Sequence, residues 1–538
     1  MVAMSMADGY ARLTGKPQCV IVHVDVGTQG LGAAVHNASC GRAPVLVFAG
    51  LSPFTLEGET RGSRTEYIHW IQDVPDQKAI VSQYCRYTNE IKVGQNVKQI
   101  VFRALQYAQT APAGPVYLTG GREIMEQEIK RIHPDPKKWK PVGLGILPED
   151  AVELIGTALA QAKKPLVITG YCGRNANGVA ELVRLADTVK GLMVLDTGGS
   201  DMCFPANHPS SLGLRYGVHE AIEQADIILV ADCDVPWINT LNSPKNAKAI
   251  YHIDGDPLKQ QMPLFYLEAQ ETYKVDSAAA FKQLHEFIAK SPECVKALEA
   301  ADERAKAVAA DHQKRLADAA ALAVQPKEPT ADLEPDFAMA HLRTLVPEDT
   351  IYAIEAVTLT GVVADQIQPH LPKSWINCGG GGLGWSGGGA LGIKLATDDE
   401  AGGSNKGKFV CQIVADGTFL FSVPASVYWI ARRYNIPVLT IVLNNRGWNA
   451  PRRSMMLVHP EGYASKATRE DLNISFTPTP DYAGIAKAAA GGKLWAGRAA
   501  TVEEYLKALP QAVESVKAGQ PAVLELQFGG REGAYQGE

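Results

Sequence analysis

Residues 408–445 read KFVCQIVADGTFLFSVPASVYWIARRYNIPVLTIVLNN. The apolar runs at 409–415 and 437–443 predict two β-strands, and the segment at about 421–434 between them predicts an α-helix. A strand, a helix and a second strand form one βαβ unit, whose right-handed crossover makes the two strands parallel. The pattern therefore predicts a parallel α/β sheet in this part of the chain.

Polar residues with ligand chemistry follow both predicted strands. Asp416 follows the first strand and Asn445 the second, so both are expected at the carboxyl edge of the sheet, where open α/β sheets bind ligands. Carboxylate and amide oxygens suit Mg²⁺, and the turn ending at Gly447 completes the predicted metal site. Gly417 and Thr418 open the next helix, where backbone N–H groups attract an anion such as a diphosphate. The alternative is that both segments are ordinary strand-ending turns.

The rest of the chain repeats this α/β rhythm. Apolar runs alternate with helix-compatible segments within 1–135, 145–320 and 333–538, and proline-containing segments at 133–142 and 325–335 separate these regions. At roughly 100 to 200 residues per domain, a chain of 538 residues allows about three domains. We therefore predict an α/β protein with three doubly wound parallel-sheet domains.

Composition excludes several classes of protein. Hydrophobic residues make up 46% of the chain and charged residues 20%, which is ordinary globular usage. A net charge of −6 without a long basic run disfavours nucleic-acid binding. The nine cysteines include no CxxC pair, which favours reduced thiols inside a cell. Because no apolar run reaches about 18 residues, no membrane span is expected, and we predict a cytoplasmic protein.

Two further motifs accompany the pairs Asp416-Gly417 and Asn444-Asn445. They are MADGYAR at 6–12 and GGGGLGWSGGGALG at 379–392. Together these motifs resemble the thiamin diphosphate enzymes of the acetolactate synthase and benzoylformate decarboxylase superfamily, over nearly the whole chain. Ala415 stands where the family has the first glycine of its GDG motif, which leaves the metal ligand in place.

The resemblance implies a role for each domain and a cofactor, thiamin diphosphate held with Mg²⁺. The first domain would bind the pyrimidine ring, the second would be a central Rossmann-like domain, and the third would bind the diphosphate. Gly27 and Thr28 would lie in a glycine turn that faces the cofactor, and Thr358 in a second diphosphate loop. The Gly381 carbonyl would accept a hydrogen bond from the 4'-amino group, and Leu383 would be the apolar wedge under the bent cofactor.

In this family the cofactor adds to a 2-oxo acid and stores the electrons that decarboxylation releases. The product is an aldehyde or, after attack on a second carbonyl compound, a 2-hydroxy ketone. The resemblance thus implies a carbon–carbon bond lyase or carboligase similar to acetolactate synthase, acting on small 2-oxo acids as a homodimer or homotetramer. A benzoylformate-type decarboxylase and a 2-hydroxyacyl-CoA lyase are the alternatives, and the pocket sequence does not separate them.

Two segments are expected near the substrate. Residues 64–77 match in position a family loop that borders the active site, and His69 and Gln72 are its candidate proton-transfer groups. For His69 the alternative is a packed structural role. The segment 448–462 follows the metal ligands and contains Arg452 and Arg453, which would hold a substrate carboxylate or a coenzyme A phosphate if this segment closes as a lid. The alternative there is a solvated basic turn.

The family's activating glutamate, which hydrogen-bonds the pyrimidine ring, aligns just before Met1. We therefore expect the given sequence to be incomplete at its N-terminus. The alternative is a natural short form that folds differently there and is inactive or activated in an unusual way. An inactive form would serve as an interaction subunit.

Redox cofactors are not expected. Residues 232–237, DCDVPW, depart from the arginine-bearing segment of the acetolactate synthases that hold FAD, which disfavours FAD here. A nicotinamide or flavin oxidoreductase is also disfavoured, because no predicted strand is followed by a clean GxGxxG with an acidic residue about twenty positions later.

Overall fold

The computed structural model describes residues 1–135 and 137–528, so position 136 of the predicted linker and residues 529–538 of the predicted third domain lie outside the described residues. The strands are β1 (Gln18–Val22), β2 (Val45–Leu51), β3 (Tyr87–Ile91), β4 (Val116–Gly121), β5 (Pro165–Thr169), β6 (Met193–Asp196), β7 (Ser211–Leu214), β8 (Ile227–Ala231), β9 (Ala249–Asp254), β10 (Glu271–Lys274), β11 (Ile351–Glu355), β12 (Trp375–Asn377), β13 (Val410–Ala415), β14 (Leu439–Asn444), β15 (Trp495–Ala499) and β16 (Ala522–Gln527).

The helices are α1 (Val2–Thr14), α2 (Val24–Gln29), α3 (Gly32–Cys40), α4 (Val97–Gln109), α5 (Arg122–Met125), α6 (Glu149–Gln161), α7 (Ala176–Thr188), α8 (Glu220–Gln224), α9 (Ser277–Lys290), α10 (Pro292–Glu299), α11 (Asp302–Leu322), α12 (Pro335–Leu345), α13 (Thr360–Ile367), α14 (Trp385–Glu400), α15 (Asp416–Phe421), α16 (Pro424–Arg433), α17 (Asn449–Val458), α18 (Tyr463–Lys466), α19 (Tyr482–Ala489) and α20 (Val502–Lys517). Short 3₁₀ helices connect some of these elements. Across the described residues, no helix combines the length and the apolar character needed to cross a membrane.

The first compact unit consists of Met1–Leu144 and Cys378–Ala396. Its sheet has the strand order β1-β2-β4-β3, and all neighbouring strands are parallel. β4 is buried along its whole length, as expected of a central parallel strand with both faces covered. The sequence analysis did not predict β3, because this half-buried strand carries Asn89 and Glu90 in place of an apolar run.

Cys378–Ala396 packs in this first unit, although the predicted third domain includes it. The reason is close backbone packing of α14 on α1, which carries the MADGYAR motif. A Cβ atom on Gly9 would overlap the backbone of Gly389, and one on Gly392 would overlap the backbone of Met6. Only glycine permits this approach of the two helices.

The second compact unit holds the other two sheets. Their strand orders are β10-β9-β8-β5-β6-β7 and β12-β11-β13-β14-β16-β15, again with parallel neighbours. The central strands β5, β8, β13 and β14 are buried along their whole lengths. The described residues therefore form three parallel-sheet α/β domains, which confirms the predicted fold class.

The helix predicted at about 421–434 differs from the structure. The chain turns into α15 directly at Asp416 and then into α16, with Val423 between them in the left-handed conformation at φ 57°. Pro424 occupies the start of α16, where its missing N–H costs nothing because the first turn of a helix leaves that group unpaired. The helix therefore begins at the predicted metal ligand itself.

Candidate functional site

The predicted metal site lies where β13 and β14 end. These strands are parallel neighbours with Ala415 opposite Leu443, so the residues that follow them emerge side by side. Asp416 is buried, and its two carboxylate oxygens accept hydrogen bonds from the backbone N–H of Gly417 at 2.7 Å and of Gly447 at 3.1 Å. The structure therefore brings two predicted metal-binding residues, Asp416 and Gly447, into direct contact.

Asn445, the remaining predicted ligand, has a side-chain oxygen without a hydrogen-bond partner. Its Oδ1 is buried without a hydrogen-bond partner, while its backbone carbonyl accepts from Arg469 Nη1 at 2.8 Å. An unpaired buried polar atom costs about 1–3 kcal/mol, so this position favours a ligand that carries positive charge.

The donor set beside β13 and β14 fits a hard divalent cation. Among residues 1–135 and 137–528, no three His, Cys, Asp or Glu side chains cluster as a metal site. A metal ion here would therefore depend on the Asp416 carboxylate together with amide and carbonyl oxygens, which is the chemistry that Mg²⁺ accepts.

The electrostatics of Asp416 agree with a metal ligand. Burial raises the pKa of Asp416 to about 6, and hydrogen bonds from the backbone of Gly417 and Gly447 oppose this rise. The ionised form is thus costly without a nearby cation. A bound divalent ion would be the largest local charge and would stabilise the carboxylate.

Two glycines of this site are explained by packing. Gly447 has φ 154°, and a Cβ there would overlap the Ile474 carbonyl oxygen. A Cβ on Gly417 would overlap the ring of Trp448, which packs edge-on against Phe421. The identity of Gly417 thus has a cause that the sequence analysis did not foresee. Its predicted contact with a diphosphate stays a prediction.

The other residues predicted near the diphosphate lie at the same edge of this sheet. Thr418 is buried in the first turn of α15. Thr358 is partly exposed in a 3₁₀ helix, Val357–Leu359, directly after β11. β11 pairs in parallel with β13, and Glu355 lies opposite Val414. The topology therefore places Thr358 on the strand end next to that of Asp416.

In the first unit, the glycine segment 379–382 lies against α3. Cβ atoms at Gly379, Gly380 and Gly382 would overlap atoms of α3 or of the turn that follows it. A Cβ at Gly381 would meet no atom within 4 Å. Close packing on α3 therefore explains three of these glycines, and the residue whose carbonyl is predicted to bind the cofactor faces open space.

Two side chains of α3 hold this segment. Asn37 accepts a hydrogen bond from Gly382 N–H at 3.0 Å and donates from Nδ2 to the Gly382 carbonyl at 2.6 Å. His36 Nε2 accepts from Gly381 N–H at 3.2 Å. Leu383, the predicted wedge, follows directly and is partly buried. The sequence analysis missed both residues of α3, although two adjacent polar side chains in the small, apolar helix GAAVHNASC were a signal.

The predicted glycine turn with Gly27 and Thr28 is part of a helix, α2. Thr28 is fully buried, and its hydroxyl lies 2.7 Å from the Tyr117 hydroxyl. Gln77, which is also buried, donates to the same Tyr117 oxygen at 2.9 Å and to the Gly50 carbonyl. Thr28 is thus engaged within the first unit, and its predicted contact with a cofactor stays a prediction, as does that of Gly27.

The candidate proton-transfer groups are on the surface of the first unit. His69 is exposed and precedes a 3₁₀ helix, Trp70–Gln72, where its Nδ1 accepts from Ile71 N–H at 3.1 Å. Gln72 is partly buried, and its backbone carbonyl accepts from the Ser52 hydroxyl at 3.1 Å. Their catalytic roles stay predictions.

The segment predicted as a lid contains α17 and carries both arginines. Arg453 is exposed, and Arg452 is partly buried with an Nε atom that is buried and has no hydrogen-bond partner. The segment is therefore a helix that starts two residues after Gly447, and not a basic turn.

Three family profiles match the chain in order. They are the thiamine pyrophosphate (thiamin diphosphate) enzyme N-terminal TPP binding domain at residues 1–80, the central domain at 152–262 and the C-terminal TPP binding domain at 356–526. Gly27 and Thr28 lie in the first match, and Asp416, Asn445 and Gly447 lie in the third.

Curated relatives cover most of the chain. 2-Hydroxyacyl-CoA lyase 2 of Bos taurus is 23% identical over 98% of this chain and 83% of its own length. Benzoylformate decarboxylase of Pseudomonas aeruginosa is 24% identical over 97% and 89%, and a probable acetolactate synthase large subunit of Methanococcus aeolicus is 24% identical over 82% and 72%.

Solved structures share the fold. The thiamine diphosphate-dependent 4-hydroxybenzoylformate decarboxylase of Rhodococcus jostii RHA1 superposes with a TM-score of 0.71 at 20% identity, over 98% of this chain and 91% of that chain. Benzoylformate decarboxylase from Polynucleobacter necessarius gives a TM-score of 0.72 at 17% identity, over 98% and 90%. With its three domains matched in order, the chain belongs to the thiamine pyrophosphate enzyme family.

Proposed function

We propose that this protein is a thiamin diphosphate- and Mg²⁺-dependent lyase or carboligase that acts on 2-oxo acids. The observation that carries the proposal is the strand-end arrangement of Asp416, Asn445 and Gly447, in which a buried carboxylate and an unpaired buried amide oxygen follow neighbouring strands. Membership in the family supports the cofactor. The donor chemistry supports the metal.

When bound, thiamin diphosphate supplies a carbon nucleophile and an electron sink for decarboxylation. The residues of this chain hold and orient the cofactor. Asp416 and Asn445 would coordinate Mg²⁺ through their side-chain oxygens, Gly447 would do so through its carbonyl, and Thr358 would contact the diphosphate. Gly381 would accept from the 4'-amino group, and Leu383 would support the bent form.

A second candidate is cleavage of a 2-hydroxyacyl-CoA. The name of the Bos taurus relative points to this reaction. The unpaired buried Nε of Arg452 would serve either candidate, because a guanidinium with a free donor binds the phosphate of coenzyme A or the carboxylate of a 2-oxo acid. The two candidates therefore differ in substrate size and not in the charge that is recognised.

Oligomerisation is part of the proposal. Tyr67, Trp70 and Ile71 are 93%, 68% and 75% exposed, and such grouped apolar side chains are typical of a surface that another chain covers. We expect a homodimer or homotetramer, which light scattering on the purified protein would measure. A monomer with full activity would contradict this expectation.

The decisive experiment is reconstitution with thiamin diphosphate and Mg²⁺, followed by product analysis. Pyruvate, benzoylformate and a 2-hydroxyacyl-CoA are supplied separately, and carbon dioxide, aldehyde and 2-hydroxy ketone are measured. A 2-hydroxy ketone from pyruvate supports the carboligase, and an aldehyde from benzoylformate supports the decarboxylase. An aldehyde from the acyl-CoA substrate alone supports the lyase. Cofactor binding without turnover of any substrate would support a non-catalytic subunit.

A further inference from the structure

Asn37 is fully buried, and a single residue of another segment engages both ends of its side-chain amide. The Oδ1 atom accepts from Gly382 N–H, and the Nδ2 atom donates to the Gly382 carbonyl. The backbone carbonyl of Asn37 is also occupied, because it accepts from Gly41 N–H at 2.7 Å. Since exchanging the oxygen and nitrogen of the amide would oppose donor to donor, Asn37 fits in one orientation only.

This contact determines where the Gly381 carbonyl points. The Gly381 carbonyl and the Gly382 N–H belong to one peptide plane, in which a trans bond directs them to opposite sides. Because the Gly382 N–H points at Asn37, the Gly381 carbonyl points away from α3. The Gly382 carbonyl is itself bonded to Asn37, which leaves that of Gly381 as the free acceptor of this peptide pair.

His36 restrains the preceding peptide. Its Nε2 accepts from Gly381 N–H, so the neutral imidazole must carry its proton on Nδ1. The Tyr84 ring packs edge-on against His36, with ring centroids 5.4 Å apart. Both peptide planes that flank Gly381 are thus tied to α3, while open space surrounds the position of its missing side chain.

We propose that Asn37 is a positioning residue that orients the Gly381 carbonyl toward the 4'-amino group of thiamin diphosphate, with His36 in a supporting role. The inference rests on the proposed function, because it assigns Asn37 an effect on that cofactor. It predicts that Asn37 contributes to recognition of the 4'-amino group more than to anchoring of the diphosphate.

The first test needs no cofactor. Hydrogen exchange of the peptide that covers residues 379–384 is measured by mass spectrometry in the apo protein, for the wild type, Asn37→Ala and the control Ser39→Ala. Ser39 lies on the same helix, and its backbone carbonyl accepts hydrogen bonds from the N–H groups of Gly41 and Arg42. In Asn37→Ala, the amide hydrogen of Gly382 should exchange about tenfold faster than in the wild type, because loss of one buried hydrogen bond usually changes an equilibrium by about this factor. Exchange unchanged from wild type would overturn the proposal.

The second test compares two ligands with Mg²⁺ present. Thiamin diphosphate carries the 4'-amino group, and oxythiamin diphosphate has an oxygen in its place. The wild type should bind thiamin diphosphate about tenfold more tightly, and Asn37→Ala should lose this preference. Equal weakening of both ligands would mean a structural role and would overturn the proposal. Asn37→Leu, which keeps roughly the size of the side chain and removes both hydrogen-bonding atoms, replaces the alanine variant in both tests if that variant does not fold.

Failure of the two proposals is distinguishable. A wild type that binds neither ligand contradicts the proposed function, and with it the cofactor role of Asn37. A wild type that prefers thiamin diphosphate while Asn37→Ala keeps the same preference overturns the positioning role alone.

Discussion

Gly447 donates its backbone N–H to Oδ2 of Asp416 over 3.1 Å, which joins the turns that end two neighbouring strands, 31 positions apart in the chain. Asn445 belongs to the second of these turns, and its side-chain oxygen is unpaired. Because the backbone already fixes both turns, the site does not need to rearrange to present these groups to an ion. Such preorganisation lowers the cost of binding.

Asp416→Ala should abolish Mg²⁺-dependent cofactor binding. The substitution removes the one charged ligand of the predicted set, and loss of at least about 100-fold in affinity for thiamin diphosphate with Mg²⁺ is expected. Titration calorimetry measures the affinity, and circular dichroism checks the fold. Asp349→Ala, at an exposed carboxylate near Lys408, is the matched control and should bind normally. Unchanged affinity in the Asp416 variant would refute the metal assignment.

Leu383→Ala should reduce turnover more than cofactor affinity. If Leu383 supports the bent cofactor, its removal misplaces the reacting atoms and lowers kcat about 10- to 100-fold. The Kd of the cofactor should change less, because the diphosphate contacts remain. Leu322→Ala, at an exposed leucine of α11, controls for the loss of an apolar side chain and should leave both quantities unchanged. Equal losses in kcat and affinity for Leu383→Ala would indicate packing only.

The sequence analysis found several β-strands that appear in the sequence as short continuous runs of apolar residues. The apolar runs that form β5, β8, β13 and β14 are buried on both faces, so each is a continuous apolar stretch that the sequence shows directly. The sequence analysis named no strand at β3, β7, β10, β12, β15 or β16. Polar residues interrupt β3 and β10, whereas β16 was missed although it is almost wholly buried. Edge or half-buried strands carry such an interrupted pattern.

For the site, the sequence predicted the strand-end groups but not their neighbours. Asp416 and Asn445 follow from topology, since parallel strands end at one edge. The contact of Asn37 with Gly382 joins positions 345 residues apart. A sequence motif covers only neighbouring positions, so it does not predict which distant residues meet in the fold. The neighbour of Gly417 was likewise beyond the sequence, because the position of the Trp448 ring depends on tertiary packing.

Gly417→Ala should destabilise the protein by about 1–3 kcal/mol, because the added Cβ overlaps the Trp448 ring. Urea unfolding measures the free energy. Gly361→Ala is the matched control in α13: a Cβ there meets no atom within 4 Å, so the variant should be neutral or more stable. In a Trp448→Leu background the cost of Gly417→Ala should shrink, because the overlapping ring is gone. A cost unchanged by Trp448→Leu would contradict the packing explanation.

Asp196 should make the stability of the second unit depend on pH. It is buried at the end of β6, and its two oxygens accept from the backbone N–H of Gly198 at 2.7 Å and of Cys203 at 2.8 Å. Burial raises the pKa of Asp196 to about 7, and these backbone hydrogen bonds oppose the rise. An unfolded aspartate has a pKa of about 3.9, so between about pH 4 and pH 7 the folded state holds a proton that the unfolded state has lost.

Folding therefore takes up a proton in this range, and the contribution of Asp196 to the free energy of unfolding falls as the pH rises toward 7. A shift of about three pKa units corresponds to roughly 4 kcal/mol in total, of which about 2–3 kcal/mol is lost between pH 5 and pH 8. Asp196→Asn removes this titrating group. The free energy of unfolding of the wild type, measured in urea, should therefore exceed that of the variant by more at pH 5 than at pH 8. Asp318→Asn, at an exposed position of α11, should show no such change between the two pH values. A difference for Asp196→Asn that is equal at both pH values would mean that the carboxyl group is ionised throughout this range, and that its two backbone hydrogen bonds outweigh the cost of burial.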